Sequence, residues 1–225
     1  YLHLVRDLLQ EKHIVVYSED DDVQKKMEQK NYAGRVDKDW SKDFLMWVDA
    51  NLAALKTDHA IKRKIDYQIK SSDEYGYVGL VKMTYEHTGT FDWRTSHYRS
   101  FARAYLPKNS SFISASKSGN KIKKSGIELD KKWFGHVIRV APGKTKSLTY
   151  KYDLAPKVDK LIKQGNYQLK AQKQIGTDQT ELTLNLDFGK KLTGADPSED
   201  KENWGDNSYN YQTKLKVDKK FNIKL

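Results

Sequence analysis

The sequence predicts a mainly β protein: an antiparallel two-sheet β-sandwich of the immunoglobulin-like kind, preceded by a small α/β segment. Three observations lead to this fold class. Residues 61–70 and several later segments alternate apolar and polar side chains, as half-buried strands do. About eight to ten such segments occur, which is the number that two packed sheets need. The first 58 residues instead mix helical stripes with short apolar runs.

The opening residues predict two helices and two buried strands. An apolar stripe favours a helix over residues 2–10, and the polar stretch 20–30 favours a second helix. The runs HIVVY at 13–17 and FLMWV at 44–48 predict short strands, the second of them covered on both faces. We therefore expect residues 1–58 to form an α/β segment that closes a truncated upstream domain.

The strands of the sandwich are expected between residues 59 and 189. Apolar side chains, with one arginine among them, occupy every second position from Ile61 to Ile69, while the intervening residues are polar. Other segments that we predict as strands are residues 77–86, 98–106, 136–140, 148–154, 167–174, 182–188 and 209–217. We expect the strand at 167–174 to pair with the one that follows it along the chain.

Two segments lack the alternation and are predicted as long loops. Residues 116–132 are rich in Lys, Ser and Gly, and residues 190–208 combine glycine and proline with many acidic side chains. The last part of the chain, residues 190–225, is then an acidic loop followed by C-terminal strands of the same sandwich.

The composition limits the function without identifying it. Lys and Arg outnumber Asp and Glu by 41 to 30, and a formal net charge of +11 attracts polyanions such as nucleic acid, teichoic-type polymers and anionic lipid. The chain has no cysteine, which excludes disulfides, thiolate metal sites and thiol nucleophiles. No stretch reaches the roughly 18 apolar residues of a membrane helix, and no signal sequence follows Tyr1. We expect a trimmed or processed product whose membrane anchor lies upstream.

The sequence contains no recognisable catalytic or cofactor motif. Gly143-Lys144-Thr145 resembles the end of a phosphate-binding loop, but Ile138 stands where that loop needs a glycine, so a proline-glycine turn is the better interpretation. The six histidines lack the spacing of a zinc hydrolase, and there is no serine nucleophile elbow. The acidic loop offers oxygen atoms that calcium accepts, although a solvated loop is the expectation. We predict no cofactor, no metal and no catalytic residue.

The most informative segment is FDWRTSHYRSFARAYL. Its alternation places Arg99, Phe101, Arg103 and Tyr105 on one side of a strand, and Arg94 lies just before it. Guanidinium groups between aromatic rings can bind sugar phosphates or anionic glycans, so Arg94, Arg99 and Arg103 are our anion-binding candidates. The favoured alternative is structural: arginines on a sheet stack on neighbouring rings and pair with carboxylates of the adjacent strand.

Four strings of the sequence together resemble one bacterial family. They are EKHIVVY from residue 11, FLMWVDANLAALKTD from residue 44, TYEHTGTFDWRTSHYRSFARAYLPKNS from residue 84 and APGKTKSLTYKYDLAP from residue 141. Over about residues 8–189 the chain resembles the C-terminal half of the family called domain of unknown function 4012.

The resemblance marks Asn51, Lys56 and Asp58 as positions that the family tends to keep, with no role assigned. Relatives often carry glycine where this chain has Ala53 and Ala54, so the sequence does not call for an unusual backbone conformation there. A hinge or interface between the α/β segment and the sandwich would explain the motif equally well.

The resemblance also implies a place in the cell. Members of this family look like membrane-anchored bacterial proteins with a large extracytoplasmic region, which implies the cell envelope. The family's upstream region is faintly similar to the LytR-CpsA-Psr enzymes that attach glycopolymers to the cell wall. Catalytic residues of such an enzyme would lie outside this chain.

These observations leave three functional expectations. The first is a non-catalytic module that supports an upstream domain of the same chain and binds envelope polymers or another envelope protein. The second is an accessory part of a glycopolymer phosphotransferase-like enzyme, with Arg94, Arg99 and Arg103 facing an open groove. The third is binding of nucleic acid, which needs exposed aromatic side chains beside lysines, whereas the alternation places most tyrosines in the core.

Overall fold

Two β-sheets packed face to face form the protein, which the computed structural model describes over residues 2–72, 76–116 and 124–225. One large apolar cluster fills the space between the sheets and contains side chains from both. The prediction of a mainly β chain with two packed sheets is confirmed. Several of the predicted core tyrosines, such as Tyr67, Tyr85 and Tyr150, are fully buried.

The described residues form thirteen strands and three α-helices. In spatial order the first sheet contains β11 (Gly194–Asp196), β13 (Lys219–Lys224), β9 (Asn166–Gln172), β1 (Asp43–Asn51), β4 (Tyr98–Pro107), β7 (Lys131–Val140) and β6 (Lys124–Glu128). The second sheet contains β12 (Ser208–Leu215), β10 (Thr180–Asp187), β2 (Ile61–Ser72), β3 (Gly76–His87), β8 (Thr145–Asp153) and β5 (Ser111–Ser116). The helices are α1 (Leu2–Gln10), α2 (Asp21–Gln29) and α3 (Pro156–Lys163).

Both sheets are mixed, so the expectation of purely antiparallel sheets is wrong. β1 runs parallel to β9, with Phe44 opposite Lys170, and β2 runs parallel to β10, with Tyr67 opposite Leu184. The predicted pairing of segment 167–174 with the next strand is also wrong. β9 lies between β1 and β13 in the first sheet, whereas β10 belongs to the second, because the chain crosses from one sheet to the other between them.

Most of the predicted elements are present. The helices expected at 2–10 and 20–30 are α1 and α2, and the alternating segments are strands. The run at 13–17 is not a strand. A strand needs a ladder of backbone hydrogen bonds to a neighbouring strand. The Val16 N–H donates to the Tyr32 carbonyl at 3.0 Å, but this bond is not continued into a ladder.

The two segments predicted as loops contain short elements. β6 lies within 116–132, and β11 and a 3₁₀ turn at Lys201–Asn203 lie within 190–208. Residues 117–123 of the first segment lie outside the described residues.

The boundary expected at residue 58 falls between two strands of the sandwich. β1 comes from the expected α/β segment and lies inside the first sheet, between β9 and β4. β2 begins at Ile61 in the second sheet. The last 36 residues, 190–225, supply β11 and β13 to the first sheet and β12 to the second.

The N-terminal residues cover part of the outer face of the first sheet. Phe44 and Met46 point outward from β1 and are buried against Val36 and Trp40. Leu45 and Trp47 point inward into the main core. The run FLMWV is therefore covered on both faces, as its near-continuous apolar sequence predicts.

Buried lysines fasten this N-terminal covering to the sheet. The Nζ atom of Lys12 lies 2.6 Å from Asp218, and both side chains are nearly inaccessible to solvent. The Nζ atom of Lys173 donates to the carbonyl of Glu11 at 2.7 Å, at the end of α1. Because an ammonium group that is buried without a partner is costly, these bonds fix where the segment docks.

A buried carboxylate lies at the start of β1. Asp43 is 0% exposed and accepts hydrogen bonds from the hydroxyls of Tyr67 at 2.6 Å and Tyr167 at 2.5 Å. Tyr67 belongs to the second sheet, so the contact joins the two sheets across the core. Burial raises the pKa of Asp43 to about 6, and the two hydroxyl donors offset part of that effect.

We predict that Asp43 makes stability depend on pH. The Asp43 carboxyl holds its proton more tightly in the folded protein than in the unfolded chain. Its protonation therefore adds fully to the free energy of unfolding below the ordinary pKa of 3.8, and this contribution is lost as the pH rises through about 6. Asp43→Asn removes the titration. Urea unfolding should show the variant gaining about 2–3 kcal/mol relative to the native chain between about pH 3.5 and about pH 7. Parallel pH profiles for the two proteins would contradict this account.

Candidate functional site

Several connections between strands meet at one end of the sandwich. We call this the basic end and define it by the segments 51–60, 88–97 and 141–144 together with Arg99 and Arg139 at the adjoining strand ends. The segments contact one another directly. Leu55 forms a β-bridge with Thr95, and the third segment joins the second at its boundary with β3, where the N–H of His87 donates to the carbonyl of Lys144 at 3.0 Å.

Asn51 closes the first loop of the basic end. Its side-chain oxygen accepts the N–H of Ala54 at 2.7 Å, and its amide nitrogen donates to the carbonyl of Leu55 at 3.0 Å. Ala53 and Leu55 have φ values of 55° and 53°, in the left-handed region that favours glycine. An unusual backbone conformation is therefore present at Ala53 without glycine, and the two bonds from Asn51 hold it although alanine adopts it only at a cost.

A buried ion pair lies beneath this loop. Arg63 Nε is 3.1 Å from Asp49 Oδ2, and their side chains are 8% and 4% exposed. Asp49 also accepts the hydroxyl of Tyr85 at 2.7 Å and that of Ser100 at 3.0 Å. The pair joins β1 of the first sheet to β2 of the second, and its carboxylate is satisfied by three donors.

The other two positions marked by the resemblance have different surroundings. Asp58 Oδ1 lies 2.5 Å from Arg63 Nη2, and because Asp58 is exposed it extends the buried ion pair to the surface. Lys56 is exposed, and its backbone N–H donates to the carbonyl of Arg94 at 2.9 Å. Asn51 and Asp58 thus shape the loop, while the Lys56 ammonium faces solvent.

Arg103 differs in its surroundings from the other two predicted anion-binding arginines. Arg103 packs against the rings of Phe101, Tyr105 and Trp133, with distances of 5.3 to 5.8 Å to the ring centroids. Its guanidinium also pairs with Glu128 at 3.0 Å. Arg103 therefore has the stacked and paired surroundings of the structural alternative.

Arg99 has surroundings of the opposite kind. It lies directly opposite Arg139 across the antiparallel pair β4 and β7, and both side chains are exposed. Within the described part of the chain, neither guanidinium has a carboxylate at ion-pair distance. Like charges directly opposite each other destabilise a sheet. Arg139 is not among the predicted arginines, because no local sequence pattern shows which residue of β7 faces Arg99.

His97 lies beside the arginine pair. Its Nδ1 atom accepts a hydrogen bond from the Arg139 guanidinium at 3.2 Å. Desolvation and then the positive charge of Arg139 lower the pKa of His97, and Arg99 contributes in the same direction. After desolvation, the contributions that lower the pKa of His97 come from nearby positive charge.

Arg94 is also exposed and lies on the neighbouring loop. Its guanidinium stacks on the ring of Trp93 at 5.4 Å, and Trp93 is 83% exposed. The carboxylate of Asp92 accepts the backbone N–H groups of Arg94 and Thr95 at 2.7 and 2.6 Å, so it is engaged by the turn.

This arrangement can bind an anion. Arg99 and Arg139 offer planar guanidinium donors that match phosphate or sulfate oxygens in pairs. Among the described side chains, no three His, Asp, Glu or Cys residues converge as metal ligands do. No helix within the described ranges is long and apolar enough to span a membrane.

The chain matches no protein-family model and no curated protein. Among solved structures, a proposed nutrient-binding protein of Legionella pneumophila overlaps with a TM-score of 0.40 at 10% identity, over 80% of this chain and 70% of that one. An M1 zinc metallopeptidase of Deinococcus radiodurans gives 0.29 at 8% identity, over 77% of this chain and 43% of that one. The chain thus spans less than half the length of the metallopeptidase, and overlaps at these scores carry no conclusion about function.

We predict that Arg63 is essential for the stability of this end. Arg63→Met leaves the Asp49 carboxylate buried without its cation, which should lower the free energy of unfolding by about 3–5 kcal/mol. The control is Lys108→Met, which breaks the exposed Lys108–Asp130 pair and should cost at most about 1 kcal/mol. If urea unfolding shows equal losses of free energy of unfolding in the two variants, the buried Arg63–Asp49 pair stabilises the fold no more than an exposed pair does.

Proposed function

We propose that the chain is a non-catalytic module that binds a phosphate-bearing anionic polymer of the bacterial cell envelope through Arg99 and Arg139. One observation carries the proposal. Two exposed arginines face each other across a strand pair, and no carboxylate within the described residues neutralises them.

An anionic ligand would remove an unfavourable interaction at this position. The repulsion between Arg99 and Arg139 is present in the free protein, and a phosphate between the two guanidinium groups turns it into two charge-assisted pairs. Successive phosphates of a polymer would reach the neighbouring cations Arg94 and Lys56. Arg94 is one of the predicted anion-binding residues, and Lys56 is a position that the resemblance marks.

The cellular setting is part of the proposal and rests only on the four strings that resemble the family, since no family model matches the chain. We place the chain outside the cytoplasm, in a protein held by an upstream membrane helix, where it supports an upstream domain of the same chain. The immunoglobulin-like assignment of the sandwich belongs to the same proposal. Nucleic acid is the less favoured polyanion, because many of the tyrosines that could stack on bases are buried in the core.

The test is calorimetric binding of a poly(glycerol phosphate) polymer to the native chain and to two double variants. Arg99→Ala with Arg139→Ala should weaken binding by roughly tenfold or more, because two charge-assisted contacts are lost. Lys157→Ala with Lys160→Ala removes the same charge from α3, at the opposite end of the sandwich, and should leave binding nearly unchanged. Bound polymer should also raise the pKa of His97, measured by NMR.

Two outcomes would overturn the proposal. Equal losses in both double variants, together with an unchanged pKa of His97, would show that the polymer responds only to overall charge. Tighter binding of a single-stranded oligonucleotide that needs the same two arginines would assign the site to nucleic acid instead.

A further inference from the structure

Large apolar side chains protrude from the basic end. Trp93 is 83% exposed, Phe91 is 63% exposed and Leu55 is 55% exposed. They lie on two loops that touch each other, since Leu55 pairs with Thr95. We call these three side chains the apolar tip.

The loops that carry the apolar tip are firmly built. Asp92 accepts two backbone N–H groups of its own loop, and Asn51 makes two bonds to the backbone of the other. The ring of Phe91 meets that of His97 edge to face at 5.1 Å. Side chains that remain this exposed on fixed loops gain little apolar burial from folding, and a group of them with polar residues around it is typical of an interaction site.

Positive charge surrounds the apolar tip. The cations of the basic end and its adjoining strand ends are Lys56, Arg94, Arg99, Arg139, Lys144 and Lys146. The carboxylates of the same segments and strand ends are Asp58, Glu86 and Asp92. Asp58 pairs with Arg63, Glu86 lies 4.0 Å from Lys62, and Asp92 accepts backbone N–H groups. The net field at this end therefore attracts anionic surfaces.

We propose that the basic end docks on an anionic lipid bilayer, with the apolar tip in the interfacial layer and the surrounding cations on lipid phosphates. Tryptophan and phenylalanine favour the boundary between headgroups and acyl chains, and each nearby Lys or Arg adds attraction to anionic lipid. The proposal goes beyond polymer binding and does not depend on it, because the apolar tip carries it and a soluble polymer would not need that tip.

The shape of the site favours a bilayer over a protein partner. Trp93 projects from its loop with most of its surface open, and its described ring contact is the Arg94 guanidinium. A stable protein interface buries about 800 Å² on each partner around a packed centre. A few protruding side chains within a ring of cations are instead enough to hold a protein on an anionic membrane surface.

The test is binding of the native chain to vesicles of phosphatidylcholine alone and of phosphatidylcholine mixed with phosphatidylglycerol. Trp93→Ala should weaken binding to the mixed vesicles by roughly tenfold or more, as expected for loss of a buried aromatic side chain. The matched control is Trp204→Ala, which removes a half-exposed tryptophan from the segment between β11 and β12 at the opposite end, and should have no effect.

A second readout reports on insertion directly. Brominated lipids should quench the fluorescence of the native chain, and the quenching should be lost in Trp93→Phe, which keeps an aromatic ring but removes the fluorophore. Binding without quenching, or equal binding by Trp93→Ala and Trp204→Ala, would overturn the bilayer proposal, as would no binding to mixed vesicles. Absence of binding to the mixed vesicles would favour a protein partner for the apolar tip.

The two proposals fail separately. Trp93→Ala should still bind the soluble poly(glycerol phosphate) polymer, whereas the Arg99→Ala, Arg139→Ala variant should lose it. If the native chain binds the polymer but not the mixed vesicles, only the bilayer proposal is wrong. If it binds the mixed vesicles but not the polymer, only the polymer proposal is wrong.

Discussion

The inward face of β1 carries two buried carboxylates, and the rest of the structure depends on how they are satisfied. Asp43 accepts the hydroxyl of Tyr67, and Asp49 pairs with Arg63 and accepts the hydroxyl of Tyr85, all from the second sheet. A carboxylate in an apolar core is tolerated only with such partners. The two contacts therefore set the position of β1 against the facing sheet at both ends of the strand.

The same constraint shapes the basic end. Arg63 pairs with Asp49 and with Asp58, so it ties the connection between β1 and β2 to the buried network. Asn51 then closes the loop in that connection. Because Asp58 is occupied by Arg63, it is not available to neutralise the arginines on the surface. A buried polar network and an unneutralised cationic surface are thus parts of one arrangement.

Sequence patterns predicted the local elements well and the tertiary arrangement poorly. Alternation identified β2 and β10 because one face of each is buried, but it holds no information on their parallel pairing. The pairing of Arg99 with Arg139 is a matter of register between strands about forty residues apart, which no local pattern encodes. The sequence placed Arg103 beside aromatic rings correctly, yet could not show that Glu128 would pair with it.

The most direct test of this account is native-state hydrogen exchange of β1. If its buried carboxylates join the two sheets into one cooperative unit, amides of residues 44–48 should exchange only through global unfolding, with the same free energy as those of β2 and β10. Exchange of residues 1–58 as a separate unit, while residues 59–225 stay protected, would contradict the account.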